Sequence, residues 1–375
     1  MTDSRTSGRR DRAIALAAGG TGGHLFPAEA LARELMVRGH QVVIHTERRG
    51  AGYASALEGI EHVVLPARSL AGGIAGKLKA ALVIGRAAVQ ARGDLRRRGA
   101  ALMVGFGGYP SFAPALAAKS MGLPLLLHEQ ATRLSMANRQ LLRLADGVAT
   151  SFAHVAGLEG FDAAKVFETG NPVRRSILDA RGDYPPFGDG EPLRLLVVGG
   201  SQGAAVFGEV VPPALLALDE GIRRRLQLSL QYRGDDADAI AARLAEAGIE
   251  AEVRAFFDDM GERLRDAHLL IARAGATTAA DLLVVGRPAI FVPIPHGGSR
   301  AEQRRNADTL AEAGVGWCMP EPELMPESLT GLLAELFASP TALPDAARAA
   351  ATLGKPEAAS LLADAVERML AAHTP

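Results

Sequence analysis

The sequence predicts an α/β protein made of two Rossmann-like, doubly wound parallel-sheet domains. Three observations predict it. First, an apolar run, Ile14–Ala18, feeds a turn with four glycines in five residues around Thr21, and helical apolar spacing follows Pro27. Second, the theme returns at Leu193–Val198, which feeds Gly199-Gly200-Ser201-Gln202-Gly203-Ala204 and another helical stretch. Third, residues 181–192 hold Pro185, Pro186 and Pro192 among Gly182, Gly188 and Gly190. That content bars helix and interior strand, so the stretch is a linker. Strand–helix alternation on both sides of it means parallel sheets with helices on both faces. Ligands are then expected at the carboxyl ends of the strands, in a central cleft that the two domains face. The expected boundaries are a disordered tail over 1–12, a first domain over 13–180, the linker, a second domain over 193–352, and a C-terminal helix over 353–375 packing back on the first domain.

The elements follow in order. Ala28, Leu31, Ala32 and Leu35 give the first helix its buried stripe, and Gly39 stops it. Gln41–Thr46 and His62–Leu65 read as strands. Arg68–Arg98 is long, basic and mostly helical. Ala101–Val104 ends in a second glycine turn, Gly105-Phe106-Gly107-Gly108-Tyr109-Pro110, before a helix over Ala113–Met121. Leu123–Leu127 is a strand that ends in His128-Glu129-Gln130. A helix over about Ala137–Leu144 precedes a strand at Gly147–Thr150, and Lys165–Glu168 leads to Gly170–Arg174, a rigid turn. Beyond the linker, strands are expected at Leu193–Val198, Gln227–Tyr232, Ala251–Phe256, Leu269–Ala272 and Ala289–Pro293.

With 375 residues the chain has room for two domains of ordinary size. The single Cys318 excludes an internal disulfide and fits a reducing cytosol. The apolar run after the Arg-rich N-terminus is too short for a signal-peptide core, and no run approaches the roughly 18 residues of a membrane span. Residues 1–180 carry 23 Lys and Arg against 14 Asp and Glu, while the remainder carries 18 against 28. A basic half beside an acidic half points to an anionic surface or substrate facing the first domain.

Glycine-richness alone fits a generic α/β turn as well as a phosphate cradle. A dinucleotide fingerprint fits badly, because Leu25 stands where its third glycine belongs and His24 sits at the mouth. An imidazole there suits proton transfer. Arg273–Asp281 also joins a strand to a helix; Thr277 and Thr278 fit either a plain N-cap or a phosphate site. Three adjacent polar residues, His128, Glu129 and Gln130, are odd for packing at a strand end. Zinc-type Cys/His spacing and a Gly-Lys-Ser/Thr phosphate loop are both absent, and Asp236-Ala237-Asp238 sits at a helix start, where acids are expected. In the basic stretch, Ile74, Leu78, Leu82 and Val83 recur at helical spacing beside Lys77, Lys79 and Arg86. That pattern fits a membrane-surface helix or a core-packed one with solvated arginines.

Taken together, these residues resemble the bacterial N-acetylglucosaminyltransferases that convert lipid I to lipid II, the MurG family. The turns at Gly19–His24, Gly105–Tyr109 and Gly199–Gly203, with His128-Glu129-Gln130, Gly170–Arg174, Phe257-Asp258-Asp259-Met260 and Arg273–Asp281, occur in that family's order. The resemblance implies the two-domain GT-B fold, inverting transfer from UDP-N-acetylglucosamine, and neither metal nor other cofactor. It implies lipid I as acceptor, an anionic membrane surface as partner, no nucleic acid, and a peripheral place on the cytoplasmic face of the inner membrane. Carried over by position, His24 is the catalytic base, with His128 and Glu129 as rivals. Arg174 and the backbone near Phe257 take uracil, Asp281 the ribose, Ser201 with Ala276, Thr277 and Thr278 the diphosphate, and Gln303 the sugar. Thr21, Gly22 and Gly23 join the donor side. Gly19, Gly20, Gly107, Gly108 and Tyr109 face the acceptor; Ile74, Lys77, Leu78, Lys79, Leu82 and Arg86 face the membrane. The family's usual Asn after His128-Glu129-Gln130 is Ala131 here, its ribose Glu is Asp281, and a common Ser is Ala274. The alternatives are another UDP-sugar enzyme of the same fold, such as a UDP-N-acetylglucosamine 2-epimerase, a non-catalytic UDP-sugar-binding protein, and a nicotinamide oxidoreductase.

Overall fold

A computed structural model describes residues 12–68, 73–188, 190–200, 204–296 and 300–373. The expected tail, apart from Arg12, lies outside the described residues. Thirteen strands are described among them: β1 (Ile14–Ala17), β2 (Val42–Thr46), β3 (Glu61–Val64), β4 (Leu102–Gly105), β5 (Leu125–Glu129), β6 (Gly147–Thr150), β7 (Val166–Glu168), β8 (Leu193–Val198), β9 (Leu226–Gln231), β10 (Glu250–Arg254), β11 (Leu269–Ala272), β12 (Ala289–Phe291) and β13 (Gly316–Cys318). Helices of six residues or more are numbered α1 (Gly22–Val37), α2 (Ile74–Arg97), α3 (Phe112–Ser120), α4 (Met136–Leu141), α5 (Ala205–Leu216), α6 (Ala237–Glu246), α7 (Met260–Asp266), α8 (Ala276–Val285), α9 (Arg300–Glu312), α10 (Pro326–Ala338), α11 (Ala342–Leu353) and α12 (Ala358–Ala372).

The first sheet runs β3-β2-β1-β4-β5-β6-β7 and the second β10-β9-β8-β11-β12-β13. The strand pairs of both are parallel. Central strands such as Ile14–Ala17 are buried throughout, as a sheet covered on both faces requires. The chain divides into two compact units, Met1–Arg174 with Pro356–Pro375, and Arg175–Lys355.

In the first unit, α12 lies on α1 over one face of the sheet, sharing the core of Leu16, Leu31, Leu35, Leu362 and Val366. Arg38, just past α1, fastens α12: it donates to Asp364 (2.6 Å), Glu367 (3.0 Å) and the Ser360 carbonyl (3.0 Å). Those carboxylates push the guanidinium pKa up. Helix α2 covers the other face through Ala80, Ala87, Ala91 and Leu95.

The second unit begins ahead of the expected linker. The short helix Arg175–Leu178 packs on α7 so closely that a Cβ at Gly261 would lie 2.4 Å from the Ser176 carbonyl oxygen. The following segment is tied to the same unit. Arg287, only 1% exposed, donates to the Asp183 carbonyl (3.0 Å), the Tyr184 hydroxyl to the His268 carbonyl (2.8 Å), and His268 Nε2 to the Pro186 carbonyl (3.0 Å). Arg194 N–H donates to His268 Nδ1 (3.0 Å), so this buried imidazole is neutral, and burial lowers its pKa.

Candidate active site

In the first unit the glycine turn sits at the carboxyl end of β1, where ligands bind parallel sheets. Helix α1 starts at Gly22, five residues before Pro27, because the N–H groups of His24 and Leu25 already bond the Thr21 carbonyl (3.1 and 3.0 Å). Thr21 N-caps it in extended backbone without a side-chain bond. Thr21, Gly22, Gly23 and His24 therefore form the helix entry rather than a turn ahead of it.

The glycines make room for side chains. A Cβ at Gly19 would lie 2.9 Å from His24 Cδ2, and one at Gly108 would lie 3.2 Å from the same atom. A Cβ at Gly20 would lie 2.2 Å from Glu47 Oε1. Gly107 and Gly108 also carry positive φ, 82° and 72°, which favours glycine on backbone grounds. The imidazole of His24 is thus wedged between the two glycine turns. Burial lowers its pKa, against the opposing pull of the Phe106 carbonyl and the Gln130 side chain. Its ring is neutral at pH 7, as a base requires, its Nδ1 is enclosed, and the residue as a whole is half-buried.

His128 and Glu129 lie inside β5, not beyond its end, because β6 pairs with them (His128 with Ala149, Glu129 with Thr150). His128 is fully buried. Its Nε2 donates to the Gly170 carbonyl (3.1 Å), and its Nδ1 accepts from Gln130 (3.3 Å), whose amide also donates to the Phe106 carbonyl (2.9 Å). Burial pulls its pKa down to about 4. Glu129, 2% exposed, accepts from the Ala131 N–H (3.2 Å), the Ser135 N–H (2.8 Å) and the Asn138 amide (2.8 Å). Burial raises its pKa. Both residues are engaged in holding the loop and the rigid turn, so of the three expected catalytic groups only His24 is half-buried rather than fully buried.

Tyr109 donates its hydroxyl to Glu47 (3.1 Å) and accepts from Arg49 (2.9 Å); Arg49 also pairs with Glu47 (2.9 Å). Sequence reasoning missed Glu47 and Arg49. The available signal was an acid directly after β2, at the carboxyl edge beside the glycine turn. Arg174 belongs to this first unit, its guanidinium 4.2 Å above the Phe26 ring. On α2, Leu78, Leu82 and Val89 are 62%, 75% and 72% exposed beside exposed Lys77, Lys79 and Arg86. Val89 was not singled out from the sequence. The Ile74 side chain is outside the described set. No described helix is long and apolar enough to cross a membrane.

In the second unit, Ser201 lies outside the described residues. Helix α8 has Gly275 as its N-cap, in extended backbone with no side-chain cap. The N-cap position is thus Gly275 rather than either threonine, and Ala276, Thr277 and Thr278 form the half-exposed first turn. Asn306, fully buried on α9, donates to the Ala274 carbonyl (3.0 Å) and fixes this turn from behind. Asp281, 9% exposed, stands on α8. Gln303 accepts from the Ile294 N–H (3.2 Å). Phe257, 2% exposed, follows β10 under the Arg263 guanidinium, 4.0 Å from its ring centroid. The unit therefore presents a helix N-terminus favourable to anions, with a carboxylate and an amide on the helices beside it.

Residues 14–150 match the glycosyltransferase family 28 N-terminal domain and residues 194–362 its C-terminal domain. Fold and sequence thus define the class, a glycosyltransferase with two parallel-sheet domains. The transferase of Rhodospirillum centenum named UDP-N-acetylglucosamine--N-acetylmuramyl-(pentapeptide) pyrophosphoryl-undecaprenol N-acetylglucosamine transferase is 47% identical over 94% of this chain and 93% of its own length. The enzyme of the same name from Granulibacter bethesdensis is 44% identical over 96% of each. The crystal structure of Acinetobacter baumannii MurG superposes with a TM-score of 0.75 at 29% identity, covering 95% of this chain and 99% of that one. The chain belongs to this MurG family of glycosyltransferases. A putative UDP-N-acetylglucosamine 2-epimerase from Listeria monocytogenes, at 15% identity and a TM-score of 0.68, shares the fold alone.

Proposed function

We propose that the protein transfers N-acetylglucosamine from UDP-N-acetylglucosamine to the 4-hydroxyl of the N-acetylmuramyl group of lipid I, giving lipid II for peptidoglycan synthesis. The observation that carries this is the 47% identity, over nearly full length, to a transferase named for that reaction. The second unit holds UDP-sugar. The first turn of α8 takes the diphosphate through main-chain N–H groups and the helix dipole, Asp281 the ribose, Gln303 the sugar and the Phe257 main chain the uracil. Ser201 completes that set. The first unit takes the acceptor at its glycine turns, with Tyr109 beside them. His24, neutral and wedged, removes the proton of the attacking hydroxyl while UDP leaves with its electron pair, so the anomeric centre inverts. Because N–H groups stabilise the leaving diphosphate, this chemistry needs neither divalent ion nor enzyme nucleophile.

The same reading puts the protein on the cytoplasmic face of the inner membrane. Leu78, Leu82 and Val89 present apolar surface to acyl chains, and Lys77, Lys79 and Arg86 meet anionic headgroups, each worth about 1 kcal/mol. Incubation with UDP-N-acetylglucosamine and a lipid I analogue, with and without EDTA, tests the activity. Chelator-resistant formation of the lipid II analogue is expected. An epimerised donor in the absence of acceptor would instead support the epimerase reading, and strict dependence on a divalent ion would overturn the metal-free mechanism. Charge reversal of Lys77, Lys79 and Arg86 to Glu is expected to reduce cosedimentation with anionic vesicles.

A further inference from the structure

We propose that Arg263 is a specificity-determining positioning residue, which holds the Phe257 main chain so that the donor site accepts uracil and rejects cytosine. The inference rests on the reading of the second unit as the donor domain and extends it to a residue outside the expected site. The segment 255–259 leaves the carboxyl end of β10. Phe256 is 57% exposed and Asp258 and Asp259 are exposed, whereas Phe257 is 2% exposed. The Phe257 ring is therefore the anchor of an otherwise solvated loop. Arg263, one turn into α7, covers that ring at 4.0 Å.

Its guanidinium is itself immobilised from three sides. NH1 donates to Ser229 Oγ on β9 (2.7 Å), NH2 pairs with Glu252 on β10 (2.6 Å), and Nε donates to Asp259 in the loop (2.8 Å). One side chain thus ties two strands, the loop and α7 together, using the planar fork that lysine lacks. A crevice of about 430 Å³, lined by Ser229, Glu252, Asp259 and Arg263 among others, opens beside it.

The consequence is chemical. Uracil offers N3–H as donor and O4 as acceptor, whereas cytosine offers N3 as acceptor and an amino group as donor. A main chain held in one orientation matches the first pattern and leaves unpaired groups against the second. A loosened main chain turns to suit either base. Loss of Arg263 is thus expected to act on base discrimination, raising the KM for the UDP-sugar while leaving kcat largely in place.

The test measures UDP and CDP dissociation constants by calorimetry, with donor KM and kcat, for the full-length protein, Arg263→Ala, Arg263→Lys, Ser229→Ala and Asp281→Ala. Arg263→Ala is expected to shrink the CDP-to-UDP ratio of dissociation constants by about tenfold and to raise the donor KM, with kcat within about threefold. Arg263→Lys and Ser229→Ala, which keep most of the packing, are expected to lie between. A lowered melting temperature with an unchanged ratio in all three variants would overturn the inference and leave Arg263 a purely structural residue. If Asp281→Ala also leaves UDP affinity unchanged, the donor-domain reading itself has failed; if only Asp281→Ala weakens UDP, that reading stands and the role of Arg263 falls.

Discussion

The turn after β1 and the turn before α8 both join a buried strand to a helix at the carboxyl edge of a parallel sheet, yet they use glycine in opposite ways. At the first, the space a Cβ would take is already filled: His24 lies against Gly19, and Glu47 against Gly20. At the second, among the described residues only Thr278 Oγ1, at 4.0 Å, approaches the Cβ position of Gly275. The first turn is a seat for side chains; the second leads into a helix whose N-cap is itself a glycine, with no side chain of its own to cap with. Glycine-richness by itself therefore does not mark a phosphate site. The contrast predicts that chemistry depends on a side chain in the first unit and on backbone in the second.

The largest expected effect breaks the seat by removing its occupant. His24→Ala is expected to lower turnover by roughly 100- to 10,000-fold, the range for a general base, while leaving UDP affinity nearly intact. Steady-state kinetics beside a UDP titration separate the two. Near-wild-type turnover would take the base role from His24 altogether, because His128 and Glu129 have no free face with which to inherit it. The lowered His24 pKa also places the acidic fall of activity below pH 6.5, where the imidazole protonates.

Much of this was legible in the chain. The alternation of apolar runs and helical stripes gave the strand–helix order, and local spacing put His24 beside its own glycines, though not against Gly107 and Gly108 of the second turn. What was not legible depends on register and on partners far away in sequence. His128 and Glu129 look like strand-end polar residues until β6 pairs with both and buries them. Glu47 and Arg49 gain meaning only because β2 lies beside β1, next to Gly20. Arg174 reads from the sequence only as part of a rigid turn; its stacking on Phe26 depends on a residue far away in the chain. Arg263 has no motif at all; three tertiary contacts define it.

A smaller effect tests whether His128 is support rather than catalyst. Its pKa is about 4 in the folded protein against 6.5 for an ordinary imidazole. Between those values the unfolded chain binds the extra proton, so stability rises with pH across the window and is complete above about pH 6.5. The difference corresponds to roughly 3 kcal/mol, lost progressively as pH falls through 6.5 toward 4. Glu129 works in the opposite sense, since burial raises its pKa and protonation relieves the folded state as pH falls. Denaturant unfolding from pH 7.5 to 4.5 is expected to show a shallower acid loss in His128→Gln than in the wild type, the difference isolating the imidazole. Parallel curves would mean that its burial stores no such energy.

The smallest expected effect sharpens the comparison between the turns directly, by adding the same methyl group to each. At Gly19 the new Cβ would meet His24 Cδ2 at 2.9 Å, closer than real Cβ atoms approach, so the ring has to give way. The imidazole must shift by several tenths of an ångström, and misplacement of a reacting group on the scale of 1 Å costs up to about 100-fold in rate. Gly19→Ala is therefore expected to lower turnover about 10- to 100-fold with UDP affinity preserved. At Gly275 φ is −70° and, among the described residues, only Thr278 Oγ1 lies near the Cβ position, so Gly275→Ala displaces no reacting side chain and should change turnover at saturating donor by no more than about twofold. Both variants keep the helix entry extended or helical, so a general failure to fold is not the expected difference between them. If Gly275→Ala proved as damaging as Gly19→Ala, the second turn would be as tightly filled in the working enzyme as the first, and the distinction between a side-chain seat and an open cradle would not hold.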